Sequence, residues 1–330
     1  MTVRARPASA SARVDAEVGS DLAALEPEWY ALWSASTRAT PFESPAWLMP
    51  WWHAFGRGTP RVATLRRAGR LAALLPCYLG EGGVMRAVGV GVSDRLDVIG
   101  DDRVDAADAA LLLSALAGCA DSRCIDLVAL PADSPLLGAT APAGWRASRE
   151  PDETCTTIAL PIELSPRISY YRRHLERAHA EPPPRIVRVT EAGALPAALD
   201  ALAAVHTARW ESQGEPGVLA DRAVTAFHRE AAARLLAGGV LRLYLLEVHG
   251  AVTAAYYGLA AKGRAFAYIT GFDPAWARFN VGTLVLAHAA EEAAREGARE
   301  LDFLRGREPY KYAWGARDRL TWRLRLERTD

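Results

Sequence analysis

The spacing of turns between residues 240 and 305 restricts the fold of this chain more than any other feature. Val240 to Glu247 is an apolar run closed by His249-Gly250. Ala251 to Ala260 follows and closes at Lys262-Gly263, and Arg264 to Phe272 is a third run containing Phe266, Tyr268 and Ile269. Runs of this length joined by two tight turns predict an antiparallel meander. Leu284 to Glu296 reads as a helix stopped at Gly297, and Leu301, Phe303 and Leu304 as a buried return strand. The expected fold class is therefore α/β (α+β), a mixed and mostly antiparallel sheet flanked by helices.

The return strand runs into the densest charge cluster of the chain. Arg305, Arg307, Glu308, Tyr310 and Lys311 crowd around Gly306 and Pro309, with Trp314 just beyond. Charges gathered at the end of a buried strand are costly unless they pair or meet a ligand. On residue types alone, a salt-bridged loop capping the sheet and a ligand site both remain open.

Upstream, Pro196 to Ser212 and Asp221 to Gly238 read as helices. His206 and Trp210 are four apart and share a face of the first; Phe227, His228, Ala231, Leu235 and Leu236 point inward from the second. Ser165 to Glu191 carries six arginines, Arg167, Arg172, Arg173, Arg177, Arg185 and Arg188, and Pro182 to Pro184 stop any helix there. It reads as a solvated helix and linker, or as a docking place for a phosphorylated or acidic acceptor.

The first half predicts a helix over Leu22 to Thr37, strands over Arg61 to Arg67, Arg70 to Leu79 and Arg123 to Leu130, and a helix over Asp105 to Cys119. Phe42, Trp47, Trp51, Trp52 and Phe55 cluster between residues 40 and 56, with core packing the default and a ligand groove the alternative. Gly89 and Gly91 form a weak phosphate signal because no helix follows, and Ser93, Asp94 and Arg95 read as a loop against a groove. The expected division is a disordered tail over 1–20, an N-terminal unit over 21–163, a basic linker over 164–192 and a C-terminal unit over 193–330.

Composition limits the partners. The chain has 330 residues, a length that favours two domains, and its 39 Lys+Arg balance 39 Asp+Glu. A zero net charge argues against a broad nucleic-acid surface. The four cysteines form no C-x-x-C and no His pair sits at zinc spacing, so no metal is expected and the thiols read as reduced, in a cytoplasmic protein. Residues 1–21 lack the apolar core of a secretory signal, and no stretch is apolar over a membrane-spanning length.

The segment D-F-L-R-G-x-E-x-Y-K-x-x-W, nine fixed positions in thirteen from Asp302 to Trp314, resembles the signature of the CelD-type acetyltransferases. These are a branch of the GNAT superfamily found around bacterial exopolysaccharide and cellulose gene clusters, related to the Fem-type transferases. The stretch around Phe42, Ser44, Pro45 and Trp47 and the pattern His206, Arg209, Trp210, Gly214 extend the resemblance to both halves. It implies tandem GNAT-like domains, the first degenerate, and an acyl-CoA-dependent acyltransferase, most simply an N-acetyltransferase acting on a sugar or envelope-related small molecule. Two other readings stand beside it: a Fem-type enzyme using aminoacyl-tRNA, and a non-catalytic accessory protein that keeps the fold.

The resemblance also implies a site. GNAT enzymes hold the pyrophosphate of acyl-CoA with a Q/R-x-x-G-x-G/A loop and a helix N-terminus. Here only Gly282 of that pattern is kept, within Arg278, Phe279, Asn280, Val281, Gly282 and Thr283, with Tyr268, Gly271 and Phe272 on the preceding strand. Acetyl-CoA or another acyl-CoA is the expected cofactor. Glu308, Asp302 and His206 are candidate bases, Lys311 and Arg305 candidate stabilisers of negative charge, and Tyr310 and Tyr268 candidate donors to sulfur. Arg209, Trp210 and Tyr256 are candidate contacts to a small-molecule acceptor.

Overall fold

A computed structural model describes residues 14–329. The elements of the first half are β1 (Val14–Gly19), α1 (Leu22–Ala35), α2 (Pro45–Phe55), β2 (Thr59–Arg67), β3 (Arg70–Leu79), β4 (Val84–Ala87), β5 (Ile99–Gly100), α3 (Ala106–Ala117), β6 (Cys124–Pro131), α4 (Pro135–Gly138) and β7 (Trp145–Ala159). Those of the second are α5 (Pro166–Ala178), β8 (Arg185–Arg188), α6 (Leu195–Glu211), α7 (Arg222–Ala237), β9 (Leu241–Val248), β10 (Ala251–Ala261), β11 (Arg264–Phe272), α8 (Val281–Arg295), β12 (Glu300–Arg305), α9 (Pro309–Ala313) and β13 (Arg317–Arg328). The helices start where the sequence offers caps. Asp21 accepts from the Ala24 N–H, Asp105 from Ala107 and Asp108, and Asp221 from Ala223 and Val224.

All strands join one sheet in the order β1-β2-β3-β4-β6-β13-β7-β12-β11-β10-β9-β8, with β5 beside β3. The order is a palindrome of two like halves. Each runs strand, two helices, a three-strand meander, a helix and a return strand. Each holds a single parallel contact of three residue pairs: β4 with β6, and β11 with β12. The expected meander, helix and return strand all lie in the second half.

Three features differ from the expected division. Val14–Gly19 is not tail but an edge strand paired along β2, whereas residues 1–13 of the expected tail lie outside the described residues. The expected linker over 164–192 contains β8, which pairs with β9 and opens the second half. The last strands are exchanged. β13 lies between β6 and β7, and β7 lies between β13 and β12, so neither half closes its own sheet.

Two apolar clusters hold the sheet. One spans both halves: Phe42 meets Phe266 edge-on at 5.6 Å, and Trp47 meets Phe227 at 4.8 Å and Tyr268 at 5.1 Å. The aromatic run between residues 40 and 56 is therefore core, and it ties α2 to α7 and β11. The second cluster packs α8 on the opposite face through Val281, Leu284, Val285, Ala289 and Ala293. Among the described residues no helix is long and apolar enough to cross a membrane.

Candidate active site

The site is built where two parallel strands part. β11 and β12 pair at Arg264–Glu300, Ala265–Leu301 and Phe266–Asp302, and then diverge. Each strand carries a local device that separates it. In β11, Ile269 faces Tyr257 and Ala267 faces Gly258, which leaves Tyr268 as an extra residue. Such a bulge inverts the alternation beyond it. Tyr268 and Ile269 both pack on the first core cluster, and Thr270 and Phe272 turn to the α8 side. In β12, Leu304 sits at φ +63, which is uncommon for leucine. The Asp302 carboxylate holds it there by accepting the Leu304 N–H at 2.8 Å.

The gap opens into a cavity of about 210 Å³. Thr270 and Phe272 form one wall, and Asn280 to Thr283, at the start of α8, form another; Tyr310 of α9, Trp314 and Arg209 of α6 complete it. Asn280 takes the left-handed conformation at φ +55 and makes no side-chain bond to the first turn of α8. The N–H groups of that turn have no acceptor within the helix, and the helix dipole adds positive potential there. Gly282 keeps the wall thin, since a Cβ on it would lie 3.0 Å from the Phe272 ring. The Arg209 guanidinium rests 5.3 Å from the Phe272 centroid and 5.9 Å from that of Trp210. Uncapped amides, a guanidinium and an apolar slot fit a phosphate-bearing molecule with an extended arm.

The cavity gathers part of the expected residues. Phe272, Asn280, Val281, Gly282, Thr283, Arg209 and Tyr310 line it. Burial first, and then Glu308, push the Tyr310 phenol up to about 12, with Arg209 opposing. Glu308 is exposed and lies 2.9 Å from the Lys311 ammonium. Arg278 is exposed, its guanidinium 4.7 Å over the Phe279 ring, and Phe279 itself is buried in the second core. Trp210 packs against His206 at 6.0 Å.

Six expected residues take other places. Lys311 is buried, and its ammonium donates to the carbonyls of Leu304, Arg305 and Gly306, so it fastens the turn and faces no cavity. Asp302 is also buried, with Oδ2 held by Arg95 Nε at 2.8 Å and Nη2 at 2.5 Å and Oδ1 on the Leu304 N–H, so it fastens the end of β12 and does not line the cavity. Tyr268 donates to the Val92 carbonyl at 2.7 Å inside the first core, on the face of Phe266, and the bulge sends only the residues after it to the cavity. Tyr256 is buried in the second core with its hydroxyl on the Phe266 carbonyl, so it meets no acceptor. Gly271 lies against the α6 backbone, where a Cβ would come within 2.6 Å of the His206 nitrogen. His206 is buried too. Burial first, and then Arg209, hold its imidazole down at about 4, and its Nδ1 has no partner.

A contribution from the first half is the main addition to the expected set. The loop after β4 reaches across and seals the gap between β11 and β12 on the face opposite α8. Val92 receives Tyr268, Gly91 receives Arg305 at 2.7 Å, Asp94 pairs with Arg305, and Arg95 pairs with Asp302. Burial raises the Asp94 carboxyl, with Arg305 working against the shift. The sequence signal lies in Gly89, Gly91 and the Ser93-Asp94-Arg95 run, read as a loop against a groove. Among the described residues no three His, Cys, Asp or Glu side chains converge as a metal site requires.

Residues 166–312 match the family described as Acetyltransferase (GNAT) domain. Solved structures share the fold over nearly the whole chain. A conserved protein of unknown function from Bacteroides thetaiotaomicron superposes with a TM-score of 0.62 at 14% identity, over 94% of this chain and 99% of that one. FemX superposes with 0.60 at 10%, over 92% and 94%. The L-PGS of Bacillus licheniformis superposes with 0.56 at 10%, over 85% and 91%. At these identities the likeness is one of fold. A search of the curated proteins finds no match to this sequence.

Proposed function

We propose that this protein, whose residues 166–312 match a GNAT acetyltransferase domain, is an acyltransferase whose donor is an acyl-CoA and whose acceptor is an amine or hydroxyl of a small molecule. A CelD-type role in exopolysaccharide assembly, in the cytoplasm, is the most specific form of this reading, resting on the Asp302 to Trp314 signature. The observation that carries the donor assignment is the uncapped start of α8 opening on the cavity beside Arg209.

The donor supplies an activated acyl carbonyl. The first-turn amides of α8 and Arg209 hold its phosphates, and Phe272 and Trp314 flank its arm and exclude water. Tyr310, with its phenol at about 12, keeps its proton at neutral pH and is the residue placed in the cavity to protonate the departing sulfur. Glu308, exposed two residues before Tyr310 and 2.9 Å from the Lys311 ammonium, takes the proton of the acceptor. His206 and Asp302 serve to shape the site.

Isothermal calorimetry with acetyl-CoA tests the donor assignment. Saturable binding that is lost in Arg209→Ala supports it. The fold shared with FemX favours a second reading, in which the donor is an aminoacyl-tRNA; binding of charged tRNA alone would replace the first reading with the second. Binding of neither would leave an accessory role.

A further inference from the structure

Beside the mouth of the cavity, α5 carries an exposed stripe of Arg167, Tyr170, His174 and Arg177. The spacing of three, four and three places these residues on one side of the helix. Ile168 and Leu175 are buried on the other side, against the α8 face. Tyr170 is 56% exposed, and its ring lies parallel to His174, 5° apart in plane and 5.8 Å between centroids. His174 leans on Phe279 at 5.1 Å, and Phe279 carries the Arg278 guanidinium. Asn280, the next residue, is already cavity wall. A continuous track of ring faces and guanidiniums therefore runs from the start of α8 out onto α5.

Packing does not require these groups to be there. A tyrosine more than half exposed contributes little to the core. Arg172, on the flank of α5, is paired with Glu291, but Arg173, Arg177 and Arg278 meet no carboxylate among the described residues. Flat rings open to solvent next to unpaired guanidiniums fit a heteroaromatic base carrying phosphates: rings and arginines stack bases, and arginines grip phosphate. A lipid headgroup or an acidic peptide would use the charges and leave the ring faces idle. A long RNA would need a broad basic surface, whereas this chain is neutral overall.

We propose that the Tyr170–His174–Arg278 surface binds the adenine nucleotide end of the acyl-CoA, with the base on the two stacked rings and its ribose 3′-phosphate between Arg278 and Arg177, the pyrophosphate staying at the start of α8. This rests on the acyl-CoA reading of the adjoining cavity. It adds that a helix outside the meander, contributed by the segment that joins the halves, completes the donor site.

The test is calorimetry on the full-length protein with two probes: coenzyme A, and phosphopantetheine, which lacks the nucleotide. The expected result is that Tyr170→Ala and His174→Ala each weaken coenzyme A by roughly tenfold, the scale of one base–ring stack, and leave phosphopantetheine binding unchanged. Both side chains are exposed, and an unaltered thermal midpoint verifies folding. Equal weakening of both probes, or no weakening of coenzyme A, overturns the nucleotide platform and spares the cavity. Failure of wild-type protein to bind either probe overturns the cavity reading and the platform with it. Binding of a charged tRNA minihelix that depends on Tyr170, without coenzyme A binding, overturns the proposal in favour of RNA.

Discussion

The two halves share one plan and reach opposite states at the same point, the helix that follows the meander. At α3 the protein supplies its own anions: Asp105 caps the first turn, Asp108 returns the bond to the Asp105 N–H, and Arg67 pairs with Asp108. Where β4 and β6 part, Leu48, Val88, Leu96 and Leu136 fill the gap and leave about 10 Å³. At α8 no side chain caps the turn and the gap holds about 210 Å³. A carboxylate at a helix start and four aliphatic side chains thus separate a filled core from an open cavity on the same backbone plan. The first half then reuses its freed loop, residues 91–95, as a wall for its neighbour's opening.

The largest contrast is expected from the carboxylates at the two points of divergence. Asp302→Ala strands the buried Arg95, and a loss of about 3–5 kcal/mol is expected in denaturant unfolding. Asp126→Ala, the counterpart in β6, frees an Arg323 that already reaches solvent and is expected to cost less than half as much. Equal losses would remove the distinction between the two sites.

Next in size is turnover. Tyr310→Phe is expected to lower kcat by about a hundredfold with donor affinity kept, the scale of a lost general acid. An unchanged kcat would move the proton to another group. Smaller still is a conversion between the halves. Asn280→Asp gives α8 a carboxylate like that of α3 and is expected to weaken acetyl-CoA by about tenfold. Asp105→Asn in the first half is expected to create no donor binding, because its gap is filled.

The halves should also part with pH. In the second, His206 and His228 are held at about 4 and about 3 by burial, below the unfolded value of 6.5. Their contribution is complete above pH 6.5 and is lost as pH falls toward 4, at up to about 1.4 kcal/mol per pH unit for each. In the first, burial raises Glu43 and Asp97 to about 7, so the native state binds more protons than the unfolded one and weakens as pH rises from about 4 to 7. Hydrogen exchange is expected to accelerate in α6 and α7 toward acid and in α1 and α2 toward neutrality. A uniform response would mean that the halves open only together.

What could be read in the chain followed local signals. The meander turns at His249-Gly250 and Lys262-Gly263, the Asp105 cap and the helix over 281–295 are written in short spans. β13 is written in the same local way: Leu320, Trp322, Leu324 and Leu326 alternate with polar residues as a strand requires. Other facts depend on distant partners. The turn of Thr270 and Phe272 into the cavity follows from a bulge against β10, whereas Lys311 fastens carbonyls only five to seven residues upstream and stays hidden because charged residues in a loop are usually solvated. Asp302 reads as a base until Arg95, 207 positions earlier, is found beside it.

The exchanged final strands bear on how the molecule can be divided. A fragment cut to 166–312 would have neither β7 nor β13, and β12 would present bare amides and the apolar Leu301 and Phe303 to solvent. Such an open border recruits other chains. A stop codon just before Arg317 would be worse than an ordinary truncation, because it empties the centre of the sheet and not its rim. Each half borrows its closing strand from the other, so the two are one unit of folding.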